Sequence, residues 1–245
     1  MRDVGITDGF RAQKLIRNLQ DPDLKVRASA IDDLGELGDA RVVEPLIAAL
    51  TAKENTGIIK TRAIVALGKL GDRRATAPLL RVLFDRRDPT PFSETMRVKT
   101  AEALGRIGDS RAIPHLLSYL SKQGDRQVQG DDDVGMKVRD ALVRIGTSDP
   151  SHLIRALQEE DSFIRAEAAR ALLHIGTGDA MEGMIAALDD LNYVVRLHAA
   201  AYLGKWGDQR AIEPLIRSLK DVNRDVRSSV RTALDTINAR TRRLR

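Results

Sequence analysis

The sequence predicts an all-α protein, a right-handed α-solenoid of about seven stacked helical hairpins, and three observations carry that expectation. The phrase LGELGDARVVEPLIAAL at 34–50 returns near the other end of the chain as LGKWGDQRAIEPLIRSL at 203–219. The pattern Leu-x-x-apolar-Gly/Asn starts at Leu34, Leu67, Leu104, Leu142, Leu172, Leu203 and Leu234, with spacings of 33, 37, 38, 30, 31 and 31 residues, a period that marks stacked repeats. Aromatic residues are only 3% of a chain that is 42% hydrophobic and 31% charged, which suits closely packed helices better than sheets.

Each unit reads as two helices. The first carries apolar residues at i, i+3, i+4 and i+7, as in Val43, Leu46, Ile47, Leu50 and in Ile212, Leu215, Ile216, Leu219, the spacing of one buried helical face. The second follows a capping residue, in order Asp23, Thr56, Ser93, Asp131, Asp161, Asn192 and Asn223. It ends where Gly38, Gly71, Gly108, Gly146, Gly176, Gly207 or Asn238 supplies a left-handed C′ residue. Asp39, Asp72, Asp109, Asp208, Thr147 or Thr177 then starts the next first helix. In the second unit this predicts an antiparallel pair over 41–50 and 57–70 that buries Leu46, Ile47, Leu67 and Leu70. Pro45, Pro78, Pro214 and the shifted Pro114 must mark a kink or a late helix start, because proline inside a helix loses a bond and clashes.

One hairpin cannot bury its own apolar stripe, whereas stacked hairpins share a continuous core, giving a curved rod on the order of 70 Å long. The expected organisation is an N-terminal tail or cap at 1–10, one solenoid at 11–240 and a basic tail at 241–245. Extra residues enter at 51–57, 85–92 and 121–131, between first and second helices of units two to four, so they fall on one edge.

The pattern V-R-x-x-A-x-x-A-L-G-x-I-G-D-x-R-A-x-x-P-L-I-x-x-L, seen in VRASAIDDLGELGDARVVEPLIAAL, MRVKTAEALGRIGDSRAIPHLL and VRLHAAAYLGKWGDQRAIEPLIRSL, resembles the HEAT-like repeats of the phycobilisome lyase type. The resemblance covers residues 11 to about 238. It implies a scaffold whose second helices line a concave surface. It also implies several functions to weigh, because such repeats host unrelated ones. Deoxyhypusine hydroxylase has similar repeats and holds two irons through His-Glu pairs; here His115, His152, His174 and His198 are followed by Leu, Leu, Ile and Ala. His174 and His198 stand seven repeat positions apart, about 10 Å along a helix, too far for a shared metal. An accessory or chaperone-like subunit of a phycobilin lyase needs no cysteine of its own and stays an alternative. HEAT-like nucleic-acid binders are a further one, although Trp206, the sole tryptophan, falls on the row of Leu37, Leu70, Ile107, Ile145, Ile175 and Ile237 and reads as packing.

The remaining motifs read as structure. Asp131, Asp132 and Asp133 fall on a cap and first turn, where carboxylates favour the helix dipole. Arg27, Lys60, Arg97, Arg165, Arg196 and Arg227 form a ladder, interrupted at Gly135, expected to pair between repeats with the joint aspartates. There is no nucleophile elbow, phosphate-binding glycine loop or paired-carboxylate site, so no catalytic, cofactor-binding or metal-ligating residue is assigned. The absence of cysteine, of a signal peptide and of a long apolar run predicts a cytoplasmic protein with no membrane partner.

The predicted function is that of a non-catalytic protein-interaction scaffold. Repeat positions five before, two before and two after the leucine share one helical face. In units two to four they carry Arg62, Lys99 and Lys137 in one row and Lys69, Arg106 and Arg144 in another, with Glu102 and Asp140 interspersed. Units one and seven carry Ser29, Glu36, Ser229 and Thr236. The formal net charge of +5 is mild, so this local stripe is the expected site for an acidic protein surface.

Overall fold

The computed structural model describes residues 4–85, 92–124 and 133–243, and no strand occurs among them. Fourteen α-helices follow one another there, alternating in the order of first and second helices: α1 Val4–Asn18, α2 Leu24–Leu37, α3 Val43–Thr51, α4 Gly57–Leu70, α5 Thr76–Phe84, α6 Ser93–Ile107, α7 Ile113–Gly124, α8 Asp133–Ser148, α9 Ser151–Ala156, α10 Ser162–Ile175, α11 Met181–Ala186, α12 Tyr193–Trp206, α13 Ile212–Ser218 and α14 Arg224–Arg243. The expected 41–50 and 57–70 pair is α3 and α4. Leu46 and Leu67 are fully buried, but Ile47 and Leu70 are only half-buried because they flank the stripe that faces the neighbouring hairpin.

The prolines are explained by a late start. A 3₁₀ turn precedes α3, α5, α7 and α13, so Pro45, Pro78 and Pro214 are third and Pro114 second in their α-helices. There the missing N–H is one that the first turn leaves without an intrahelical acceptor. Asp39, Asp72 and Asp208 cap these turns, each accepting from the backbone N–H two residues on at 2.9 Å.

Helix ends follow the expected chemistry in part. Asp23, Asp161, Asn192 and Asn223 accept from the N–H two residues on, each at 2.8 Å. Thr56 occupies the cap without a side-chain bond, and Ser93 is the first residue of α6, whose cap is Phe92. Asp131 and Asp132 lie outside the described residues, and Asp133 is the first residue of α8. The left-handed C′ glycine is present at Gly38, Gly71, Gly108 and Gly176. Gly207 is extended instead, with φ −68° and ψ 155°. Gly146 and Thr147 stay inside α8, and Asn238 inside α14. The predicted loop at 121–131 also begins late, since α7 continues to Gly124.

The helices fall into two compact units, Met1–Ala112 with Gln129–Arg144, and Ile113–Val128 with Ile145–Arg245. In the first unit Leu34, Leu46, Ile59, Ile64, Leu67, Leu79, Leu83 and Leu104 form the core. In the second, Ile113, Leu116, Leu172, Leu203, Tyr202 and Leu215 do so. Each such side chain contributes roughly 2 kcal/mol by leaving water. Consecutive second helices approach until their backbones touch. A Cβ placed on Gly68 would lie 2.8 Å from Ala103 Cβ, and one on Gly204 would lie 2.8 Å from Ala233 Cα. The glycine after the repeat leucine and the alanine before the next one thus set the crossing.

Candidate partner-binding surface

The six cations expected to form the site lie on second helices of the first unit. Arg62 and Lys69 stand on α4, Lys99 and Arg106 on α6, and Lys137 and Arg144 on α8. Arg62, Lys69, Arg106 and Arg144 are exposed, and Lys99 and Lys137 partly so, because their rows face away from the leucine core. The structure separates them by their partners. Arg62 pairs with Asp32, and Lys69 pairs with Glu36, both carboxylates coming from α2 of the preceding repeat. Lys99 reaches Glu102 at 3.0 Å, Lys137 reaches Glu102 at 3.8 Å, and Lys137 also meets Asp140 at 3.7 Å. Arg106 and Arg144 have no ion pair or side-chain hydrogen bond among the described residues.

These two arginines are neighbours. Both line a cavity of about 140 Å³ between α6 and α8, with Ala101, Gly105 and Ala141 as its small residues and Glu102, Lys137 and Asp140 beside them. Its shape comes from the close crossing, for a Cβ on Gly105 would lie 3.1 Å from Ala141 Cα and 3.4 Å from Arg144 Cδ. The cavity lining carries two arginines, one lysine and two carboxylates beside small residues. Guanidinium forks bind carboxylates in two-point geometry.

The corresponding rows of the second unit differ. On α10 they carry Glu167, Arg170 and His174, with Glu167 and Arg170 paired at 3.8 Å and His174 Nδ1 2.8 Å from the Arg170 carbonyl. On α12 they carry His198, whose Nδ1 is buried without a hydrogen-bond partner. Burial holds the His198 imidazole below its ordinary pKa, assisted by the nearby Arg170 and His174 and opposed by the Ala166 backbone and Glu167. Between α12 and α14 lies a cavity of about 570 Å³ lined by small and hydroxyl side chains, among them Ala201, Ser229, Thr232 and Thr236. Among the described residues no group of three or more His, Asp or Glu could hold a metal ion. Among the same residues no helix is long and apolar enough to cross a membrane.

Two structural expectations need correction. Trp206 is not in the core, being 40% exposed. Its indole lies against Gly176, where no side chain stands in the way, and its Nε1–H donates to the Leu173 carbonyl at 3.0 Å. The arginine ladder does not meet the joint aspartates. Asp39, Asp72, Asp109 and Asp208 instead pair with Arg41, Arg74, Arg111 and Arg210 two residues on, which hold each carboxyl below its usual range. Asp109 also accepts from Thr76 Oγ1 at 2.9 Å.

The ladder's real partners stand between first and second helices. Arg165 Nη1 donates to the carbonyls of Glu159 and Glu160 at 2.8 Å, and its Nε donates to Asp190 of the next repeat at 2.7 Å. Arg196 donates to the Asp190 and Leu191 carbonyls and to Asp221 of the following repeat, with Nε 2.6 Å from Asp221. The sequence signal is the Asp-x-Asn spacing at 190–192 and 221–223, where a second acid precedes the capping residue.

Residues 12–91 and 150–235 match the family described as HEAT repeats, and residues 96–122 match the PBS lyase HEAT-like repeat. No curated protein matches the chain. Among solved structures, the archaeal HEAT-like repeats protein from Thermococcus onnurineus is 13% identical, with a TM-score of 0.48 over 93% of this chain and 97% of that one. The complex of CpcE and CpcF of phycocyanin lyase from Nostoc sp. is 24% identical, with a TM-score of 0.46 over 92% of this chain and 94% of that one. Human deoxyhypusine hydroxylase is 20% identical, with a TM-score of 0.41 over 93% and 84%. With the repeat match spanning most of its length, the chain belongs to the HEAT-repeat family.

Proposed function

We propose that the chain is a non-catalytic scaffold that captures an acidic segment of a partner protein on the second-helix face of its first unit, with Arg106 and Arg144 as the primary contacts. The observation that carries this reading is the charge accounting of the stripe. Arg62, Lys69, Lys99 and Lys137 already pair with carboxylates of the chain, whereas Arg106 and Arg144 line one cavity, beside Glu102 and Asp140, and form no ion pair among the described residues. A partner carboxylate placed there completes an interaction that the fold leaves open. The paired cations then act as a frame that holds the surface in shape. A chain without cysteine suits a reducing cytoplasm, where we place it.

The match of residues 96–122 to the PBS lyase HEAT-like repeat supports a second reading, an accessory or chaperone-like subunit of a phycobilin lyase. Nucleic-acid binding is less favoured, because a surface with most cations internally paired releases few counterions. The test is affinity capture from cells that express the chain. Arg106→Gln with Arg144→Gln abolishes recovery of the partner, and Arg62→Gln with Lys69→Gln leaves most of it. Equal recovery by both variants rejects the reading, and bilin absorbance in the captured complex shifts it to the lyase subunit.

A further inference from the structure

Lys60 holds the ladder position of the second repeat, and its surroundings differ from those of Arg165 and Arg196. In the fifth and sixth repeats the ladder cation receives the carboxylate that stands two residues before the next capping residue. Asp190 precedes Asn192 and takes Arg165, and Asp221 precedes Asn223 and takes Arg196. By the same rule Lys60 would be met from the third repeat at position 90 or 91, where the sequence has Thr90 and Pro91. Neither side chain can supply a carboxylate.

A cavity of about 220 Å³ opens beside Lys60, at the edge where α3 and α5 end and α4 and α6 begin. Leu50, Pro78, Val82 and Met96 form apolar walls, and Lys60 and Arg81 supply the charge. Lys60 and Arg81 have no ion pair or side-chain hydrogen bond among the described residues. Asp85 also lines the cavity and has interactions of its own, so two cations stand against one acid. Ser93, on the same lining, opens α6 without a side-chain cap. Two uncommitted cations within apolar walls fit a carboxylate on a short methylene stem, since the walls cover the stem and weaken competition from water.

We propose that this edge cavity takes the carboxylate of a glutamate from an acidic segment of a partner protein, supplying from outside what Asp190 and Asp221 supply from within. The partner's acidity is the only point shared with the function proposed above, and the residues lie on a different edge, so each can fail alone. The test is a titration of the full ¹⁵N-labelled chain with an oligoglutamate peptide. The amides of Lys60, Ser93 and Met96 shift together, and Lys60→Gln with Arg81→Gln weakens that response about tenfold. Lys60→Arg retains the response, which separates lost charge from lost fold. Arg106→Gln with Arg144→Gln leaves it unchanged while removing shifts at the α6–α8 cavity. Unmoved Lys60 and Ser93 amides overturn the proposal. So does inorganic phosphate moving them at lower concentration than the peptide, because the cavity then serves a free anion.

Discussion

Arg196 in the second unit and Lys60 in the first occupy the same repeat position, yet their surroundings part. Arg196 is spent entirely within the fold, on the carbonyls of its own connection and the carboxylate of the next repeat. Among the described residues Lys60 has no such partner, and Arg97, the next rung, keeps a buried Nε with no hydrogen bond. On the second-helix face the contrast runs within the first unit, where Arg62 and Lys69 pair with α2 carboxylates and Arg106 and Arg144 form no ion pair among the described residues. A repeat scaffold can use one side chain either as a rivet or as a contact, and the identity of a neighbouring residue decides which. In the second unit Arg165 and Arg196 are rivets.

The largest expected effect follows from cutting one rivet. Asp221→Ala leaves the Arg196 guanidinium without its carboxylate at a site where the two side chains are only 12% and 7% exposed. The loss is about 3 kcal/mol, read as a lowered midpoint in urea unfolding followed by circular dichroism. A loss near zero would place Arg196 with ordinary surface cations. Next comes the helix crossing, which both units share. Gly68→Ala drives a methyl against Ala103 and costs about 2 kcal/mol, and Gly204→Ala behaves alike against Ala233. If only one of these destabilised, the close crossing would belong to one unit alone.

Acidification acts on the second unit through Asp221 and His198. The hydrogen bonds of Arg196 hold the Asp221 carboxyl below 3.8, so the stability it contributes is complete above that value and is lost as pH falls through its lower folded pKa. His198 acts sooner. Burial holds its folded pKa below 6.5, so the unfolded chain binds the proton first and stability declines as pH drops from 6.5 toward the folded value. Melting temperature measured between pH 7 and 5 therefore slopes downward with acid, and His198→Gln flattens that slope. The smallest expected effect is at the open rung: Lys60→Gln changes stability by less than about 0.5 kcal/mol, because no internal partner loses anything.

Much of this was legible in the sequence, for a physical reason. The leucine row, the capping residues and the first-turn prolines are local choices, and a residue such as Asp23 or Pro45 announces its role within one helical turn. The failures share a different cause. Gly146 and Gly207 look like Gly108, but an αL end needs the chain to turn there, and α8 continues whereas Gly207 takes an extended geometry. Trp206 carries the right apolar character for its row, yet its indole finds better cover across Gly176. The six basic residues were legible as a stripe and illegible as a site. Which of them are free depends on Asp32 and Glu36, thirty or more residues away and facing α4 only once the hairpins stack.

The central claim is that the first unit keeps Arg106 and Arg144 open for an acidic partner, and fluorescence anisotropy with a labelled oligoglutamate peptide tests it most directly. At low salt, Arg106→Gln with Arg144→Gln should weaken binding by at least about tenfold, whereas Arg62→Gln with Lys69→Gln, which removes as much formal charge from paired positions, should weaken it no more than about threefold. Equal weakening by the two variants would mean that the peptide reads only total charge, and it would contradict the division of the stripe into paired and open cations.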